Sequence, residues 1–450
     1  MAERRGAPAQ DKAEEGDDEE EEEDKGEART EGTEQQHSGW ETIIVVATLL
    51  AIHPNDPQAD QIHVFGDTDD PGLVPAIRAA QLPRPPIHLP ISIPQPLFGM
   101  SPKKHHEVER MTQYIADRVP PSASLRIIDV GAGQGYLTRA LHAHFHAPTL
   151  ALDSDQVQTH GAQARAGPAI SAITHRTIHL TPAVLLAAID DWLPTTGPGP
   201  YRLLLVALHA CGPLTPDLFR ALLSLPATHP WRPTFAIAVG CCYNLMHPPA
   251  DFPLSAHLRT HPTPLPHPLP ASAYQLAAQV PDHWDDSPAA RARMDLATRK
   301  VVWRALLPRI HPAARQLPTE TGSTPALRRL GRLPDAAYAD WPTFLARARE
   351  RLGVDFPHDP CQREPPFPEL QERLSALHVR RCLLGPVVES YIVLDRVQWI
   401  KEELQARRQK YGEDDFLAAC TIEAVNLFDQ ATGSGRNIAL VLAPPQVDTP

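Results

Sequence analysis

The sequence predicts an α/β fold: a doubly wound, mostly parallel seven-stranded sheet carrying a helical insertion. Three observations predict it. Short apolar, β-branched runs alternate with helix-period segments between residues 100 and 240, at a spacing that suits right-handed crossovers. The first of these runs ends in a glycine cluster, the place where open α/β sheets bind ligands. The pattern then pauses for an Ala-, Arg- and Leu-rich stretch of helical texture at 286–380 and resumes beyond it.

The chain has 450 residues and a net charge of −12, but residues 1–38 hold 15 Asp/Glu against 5 Lys/Arg and so carry −10 of it. That tail, residues 1–39, lacks the apolar side chains that could offset ordering entropy and is expected to be disordered. The near-neutral remainder neither requires nor excludes a nucleic-acid partner. No secretory signal is visible, and the apolar run IIVVATLLAI at 43–52 is far shorter than the roughly 20 residues that span a bilayer. No membrane partner is therefore expected. Six cysteines, at 211, 241, 242, 361, 382 and 420, lack the density of a secreted disulfide framework and fit a reducing, intracellular compartment, cytoplasm or nucleus.

Residues 40–98 end in the Pro-rich PRPPIHLPISIPQPLF and read as an N-terminal helical flank packed on the main domain, which begins at 99. A helical period follows SPKKHHEVERM, through Val108, Met111, Tyr114 and Ile115. LRIIDV at 125–130 is the first strand and YLTRALHAHF at 136–145 a helix. TLALD at 149–153 is the next strand. A helix near 155–166, a weak strand near 175–180 and a helix near 182–192 lead to the run YRLLLVAL at 201–208, which reads as a strand covered on both faces. A helix near 214–225 and the strand FAIAVG at 235–240 follow, and 99–285 make the first part of the domain. After the insertion, 381–443 close it with an amphipathic helix at 386–404 and a hairpin of CTIEAVNLF, 420–428, with NIALVLA, 437–443.

The chemistry is expected at Asp129-Val130-Gly131-Ala132-Gly133-Gln134-Gly135. Glycines let the backbone turn sharply and approach a ligand closely. The G-x-G-x-G spacing, against the G-x-G-x-x-G of dinucleotide folds, favours S-adenosyl-L-methionine over NAD and makes an NAD-dependent oxidoreductase the weaker alternative. Asp153, 20 residues past Gly133, is placed to accept from both ribose hydroxyls. Lys103, Lys104, His105, His106 and Glu107 read either as a lid, Lys104 meeting a carboxylate or phosphate, or as a solvated helix start. His209 and Cys211 after the fourth strand, with Cys241 and Cys242 after the fifth, gather at the same edge and invite zinc. The H-x-C and C-C spacings are not chelating C-x-x-C pairs, so no metal is assigned. His209 is the candidate base, or else a satisfied core histidine, and Tyr243 is the candidate to stack on a planar acceptor.

MSPKKHHE at 100–107, DVGAGQGYL at 129–137, LHACG at 208–212, GCCY at 240–243, GPVVESYIVLDR at 385–396 and FDQATGSGRNIAL at 428–440 stand in the order of one family. Over about 99–443 the chain resembles the methyltransferase-like family that includes the ribosomal RNA adenine dimethylase domain-containing proteins. The resemblance implies a Rossmann-like methyltransferase fold that uses S-adenosylmethionine, with Gly131, Gly133 and Gly135 as cofactor loop, Asp129 as the preceding acid and Asp153 as ribose-binding acid. It also implies an RNA acceptor first and a protein acceptor second, and no DNA. Adenine-N6 enzymes carry an N-P-P-Y-like motif after the fourth strand. This chain has His209-Ala210-Cys211-Gly212 there, which does not support adenine dimethylation. The rival reading is a non-catalytic binding module that keeps the cofactor loop and holds an RNA or protein partner.

Overall fold

The computed structural model of the chain describes residues 73–89, 99–167, 171–194, 200–260, 269, 271–310, 330–356, 364–412, 414–432 and 434–444. The expected acidic tail and the apolar run at 43–52 lie outside them. Seven strands form one sheet in the order β3-β2-β1-β4-β5-β7-β6, where β1 is Leu125–Val130, β2 Thr149–Asp153, β3 Ile173–Thr177, β4 Tyr201–Cys211, β5 Trp231–Cys241, β6 Thr421–Asn426 and β7 Ile438–Ala443. β1 to β5 pair in parallel, and β7 runs antiparallel to both β5 and β6. This is the predicted sheet, closed by the predicted hairpin.

Helix α1 is Leu73–Ala79, α2 Pro102–Arg118, α3 Tyr136–Phe145, α4 Gln156–Ala166, α5 Pro182–Trp192 and α6 Leu214–Leu223. The continuous apolar run in β4 is explained by helices on both sides. Leu203, Leu205 and Ala207 face a core with α5 and α6, while Leu204, Val206 and Leu208 face one with Val108, Met111 and Ile115 of α2 and Leu137 and Leu141 of α3. Alternation along a strand sends successive side chains to opposite faces, so only a run apolar throughout can serve a doubly covered sheet.

Between β5 and the closing hairpin lie α7, Pro288–Ile310, α8, Trp341–Leu352, α9, Pro368–Leu383, and α10, Gly385–Tyr411. Helices α7, α8 and α9 share a core of their own, in which Trp303 meets Trp341 edge-on at 5.5 Å and Phe344 and Leu374 fill the remainder. Helix α10 corrects the sequence expectation. It is not one-sidedly amphipathic: from Gly385 to Val393 every residue is buried, and so are Asp395 and Arg396. Its polar residues are tied down inside. Asp395 accepts from the Leu254 and Ser255 amides and the Ser255 hydroxyl at 2.7–2.9 Å, and Arg407 holds Asp415 through two bonds and the carbonyls of Leu223 and Leu225. A Cβ at Gly385 would overlap the Leu276 carbonyl, so glycine alone lets α10 start there. Gly385→Ala is expected to destabilise the fold by about 1–3 kcal/mol, the range of overpacking; an unchanged urea midpoint would show that the 276 segment yields freely.

The described part of the N-terminal flank does pack on the sheet, and only its first seven residues are helical. Ile77 and Ala80 join a cluster with Tyr243, Phe252 and Tyr391. The chain then runs extended, the Ile87 amide bonding to the Asn426 carbonyl at 2.9 Å. Arg84 pairs with buried Glu389 and donates to the Pro386 carbonyl at 2.7 Å. Among the described residues no helix is long and apolar enough to cross a membrane.

Candidate active site

The loop between β1 and α3 takes three left-handed glycines, with φ of +74° at Gly131, +55° at Gly133 and +67° at Gly135. A Cβ in that region costs roughly 1–2 kcal/mol per residue, which is why the sequence spends glycine at alternate positions. The loop is fastened to β2, because the Gly131 and Ala132 amides donate to the Leu152 carbonyl at 2.8 and 3.0 Å. Asp153 at the end of β2 accepts from the Gly133 amide at 2.8 Å and from the Asp155 amide at 2.8 Å. The two motifs singled out in the sequence are thus one unit. A carboxylate has about four lone-pair positions, so roughly two remain on Asp153 for a ligand diol.

A cavity of ≈ 680 Å³ opens over this unit, within the size range of cofactor sites. Asp129, Gly131, Gly133, Asp153, Lys104 and His209 all line it, together with apolar Leu180, Leu208, Leu214 and Leu245. A Cβ on Gly133 would meet no protein atom within 4 Å. Asp129 is 1 % exposed and accepts from the Thr138 hydroxyl at 2.6 Å. Burial, aided by the charge of Asp153, pushes its carboxyl up to about 7 against the Thr138 bond and the pull of Lys104.

His209 sits at an irregularity of β4, where three steps from Ala207 to Ala210 face two from Ala238 to Gly240. Such a bulge re-aims a side chain. The His209 Nε2 lies 2.5 Å from Lys104 Nζ and 3.1 Å from Glu107 Oε2. Glu107 also accepts from Ser434 at 3.0 Å and lies near Lys103. Burial would raise Glu107, yet the hydrogen bond from His209 and the charges of His209, Lys104 and Lys103 outweigh it and hold the carboxyl down at about 2. Thr138 was the residue that sequence reasoning left without a role here, and Glu107 was read only as part of a lid or of a solvated helix start, not as the partner of His209. Glu107 had a faint signal, its place within SPKKHHE, and Thr138 had none.

Tyr243 does not belong to this cavity, contrary to the sequence expectation. It is 2 % exposed, its hydroxyl is 3.3 Å from Glu389 Oε1, and the Arg396 guanidinium lies 5.3 Å from its ring centroid. The 3₁₀ turn Tyr243–Leu245 carries the ring inward beneath β5 and puts Leu245 at the cavity instead. The expected gathering of four soft ligands is also corrected. Cys211 and Cys241 are the last residues of their strands and stand in register, while His209 turns to Lys104 and Glu107. Hydrogen bonding from Cys241 holds the Cys211 thiol down at about 6 against burial, and Cys241 is pushed up.

Residues 103–249 match the model of a family described as a methyltransferase domain, and the cavity and its lining fall within that segment. The chain is 38% identical over 66 residues to the probable methyltransferase-like protein 25 of Mus musculus, and 35% identical over 66 residues to that of Homo sapiens. Each match covers 15% of this chain and 11% of the relative, so the chain spans about a tenth of the length of these curated proteins. Among solved structures the 23S rRNA methyltransferase ErmE aligns at 17% identity over 29% of this chain and 45% of that one, with a TM-score of 0.22.

Proposed function

We propose that the chain is an S-adenosylmethionine-dependent methyltransferase whose acceptor is RNA. The single observation that carries the cofactor assignment is the bond from the Gly133 amide to Asp153 beneath a cavity of ≈ 680 Å³. It joins an open glycine backbone to a carboxylate with acceptor capacity left for a ribose. Asp153 would hold the ribose, the glycine loop would pass close to the amino-acid part, and Leu180, Leu208 and Leu245 offer apolar contact to a planar base. When bound, S-adenosylmethionine supplies a methyl group on a sulfonium that is already electrophilic, so the protein needs no nucleophile of its own.

The residues of the chain then have three tasks: to orient, to exclude water and to take up a proton. In the tautomer whose Nε2–H donates to Glu107, Nδ1 of His209 carries the free lone pair, so a proton leaving an acceptor would go to Nδ1. Support for a polyanionic acceptor comes from a second cavity of ≈ 670 Å³, between α7, α9 and the 275–287 segment. Arg293 and Arg381 line it with Lys300, which also pairs with Asp335 at 2.8 Å, against one lining acid, Asp286. We assign the helices of 286–380 to the acceptor side on that basis.

Titration calorimetry with S-adenosylhomocysteine tests the cofactor assignment. Micromolar binding is expected, and Tyr243→Phe should leave it unchanged while costing stability about 1 kcal/mol, the worth of one hydrogen bond. No binding at millimolar ligand by folded protein would sink the assignment. A methylation screen with labelled donor against RNA and protein pools tests the acceptor, and label in protein alone would overturn the RNA reading.

A further inference from the structure

We infer that Cys211, Cys241 and Cys242 form a binding site for one thiophilic divalent cation of the zinc type, with its fourth coordination position open toward the cavity. The Sγ atoms of Cys211 and Cys241 are 3.1 Å apart and those of Cys211 and Cys242 3.5 Å, and all three lie within 4.8 Å of one another. Zinc bound by sulfur at about 2.3 Å in tetrahedral geometry holds its sulfurs about 3.8 Å apart. Two of the three separations fall short of that value by less than about 1 Å, and the third lies within 4.8 Å, so small side-chain adjustments suffice.

Two features of the backbone produce the cluster. Cys211 and Cys241 are register partners on adjacent parallel strands, which aims their side chains to the same face. Cys242 follows directly, and in a continued strand its thiol would point to the opposite face. Instead Cys242 adopts φ +48° and ψ +46°, a left-handed conformation that costs a non-glycine residue about 1–2 kcal/mol. Strain of this kind persists where the surroundings fix it and gathers at functional sites. Here it turns the third thiol back onto the other two. The Gly212 amide donates to the Cys241 carbonyl at 3.0 Å and ties the two strand ends together.

No fourth His, Cys, Asp or Glu joins the group among the described residues, and His209 faces Lys104 and Glu107 instead. Cys211 lines the same cavity as Asp153 and the glycine loop. Three protein ligands and one exchangeable position facing a cavity is the pattern of sites that keep a place for water or substrate. Binding replaces three S–H protons by three metal–sulfur bonds, with no change of oxidation state and the protons passing to buffer. Zinc suits this set because soft thiolate ligands select it over ions such as magnesium and calcium that take oxygen ligands. The inference stands on the thiol geometry and does not need the methyltransferase reading.

The test is titration of the full-length reduced protein with Co²⁺ alone, followed by thiolate-to-cobalt absorption in the near ultraviolet. One cobalt per chain is expected, displaced by Zn²⁺. Cys211→Ser and Cys242→Ser should each weaken binding at least about tenfold. Cys382→Ser, which alters a thiol near His378 in α9, should leave it unchanged. Metal content of protein purified without chelator gives a second measurement that needs no variant to fold. Absence of a sulfur–cobalt band in reduced wild type, or a band that survives in both variants, would overturn the site. So would the loss of two titratable thiols to a disulfide under the reducing conditions of the assay.

Discussion

Asp153→Ala is expected to weaken S-adenosylhomocysteine binding about 100-fold, and Gly133→Arg to abolish it. The Asp153 carboxylate accepts from the Gly133 and Asp155 amides and retains lone pairs that face the cavity. Hydrogen bonds to a charged acceptor contribute about 1.5–3 kcal/mol each. Losing one or two of them to a ribose diol, together with the anchor of the glycine loop, gives roughly 3 kcal/mol, and 1.4 kcal/mol is about tenfold. Gly133→Arg acts differently: its Cβ meets no protein atom, but the long side chain at φ +55° must run into or across the cavity. Asp153→Asn keeps one acceptor and should lose less than Asp153→Ala. Calorimetry on protein with an unchanged circular-dichroism spectrum checks all three, and equal affinity in Asp153→Ala would place the ribose elsewhere.

The parts of this site legible in the sequence were those whose signal is local. LRIIDV, TLALD and YRLLLVAL announce parallel strands because a doubly covered strand has no polar side to confuse the pattern. The alternate glycines and Asp153 are local too, since their spacing is set by one loop between two adjacent strands. What failed was direction. Tyr243 is next to Cys242 in the chain, but a left-handed residue and a 3₁₀ turn separate their side chains, so that one lies beside Cys211 and the other beneath the sheet against Glu389. His209 was placed with the cysteines, and an irregularity in β4 gives it instead to Glu107, 102 residues earlier. Pairing across that distance leaves no periodic trace. Helix α10 misled for a related reason: Glu389, Asp395 and Arg396 look like a solvent face, and each is buried with partners from loops elsewhere in the chain.

The Asp129 carboxyl, pushed up to about 7, predicts a pH-dependent loss of stability that Asp129→Asn removes. In an unfolded chain an aspartate titrates near 3.9. Between that value and about 7 the folded state therefore holds a proton that the unfolded state has released, so this group favours folding at low pH and its contribution is lost as pH rises. Each pH unit in the window is worth about 1.4 kcal/mol, so the cost approaches about 4 kcal/mol and is constant above pH 7. Asparagine stays neutral throughout and still accepts from the Thr138 hydroxyl. Urea unfolding at pH 4 and pH 8 should thus find the two proteins similar at the lower pH and the variant markedly more stable at the higher. Glu107, held at about 2, has the opposite sign, adding stability above pH 4 that is lost as pH falls. It is common to both proteins and cancels in the difference. A flat difference across pH 4–8 would mean that Asp129 is ionised in the folded protein. Asp129 also lines the cavity, so a cationic ligand group there would favour the carboxylate, and ligand binding near pH 6 should release protons in wild type and none from Asp129→Asn. Calorimetry in two buffers of different ionisation enthalpy reads that release directly.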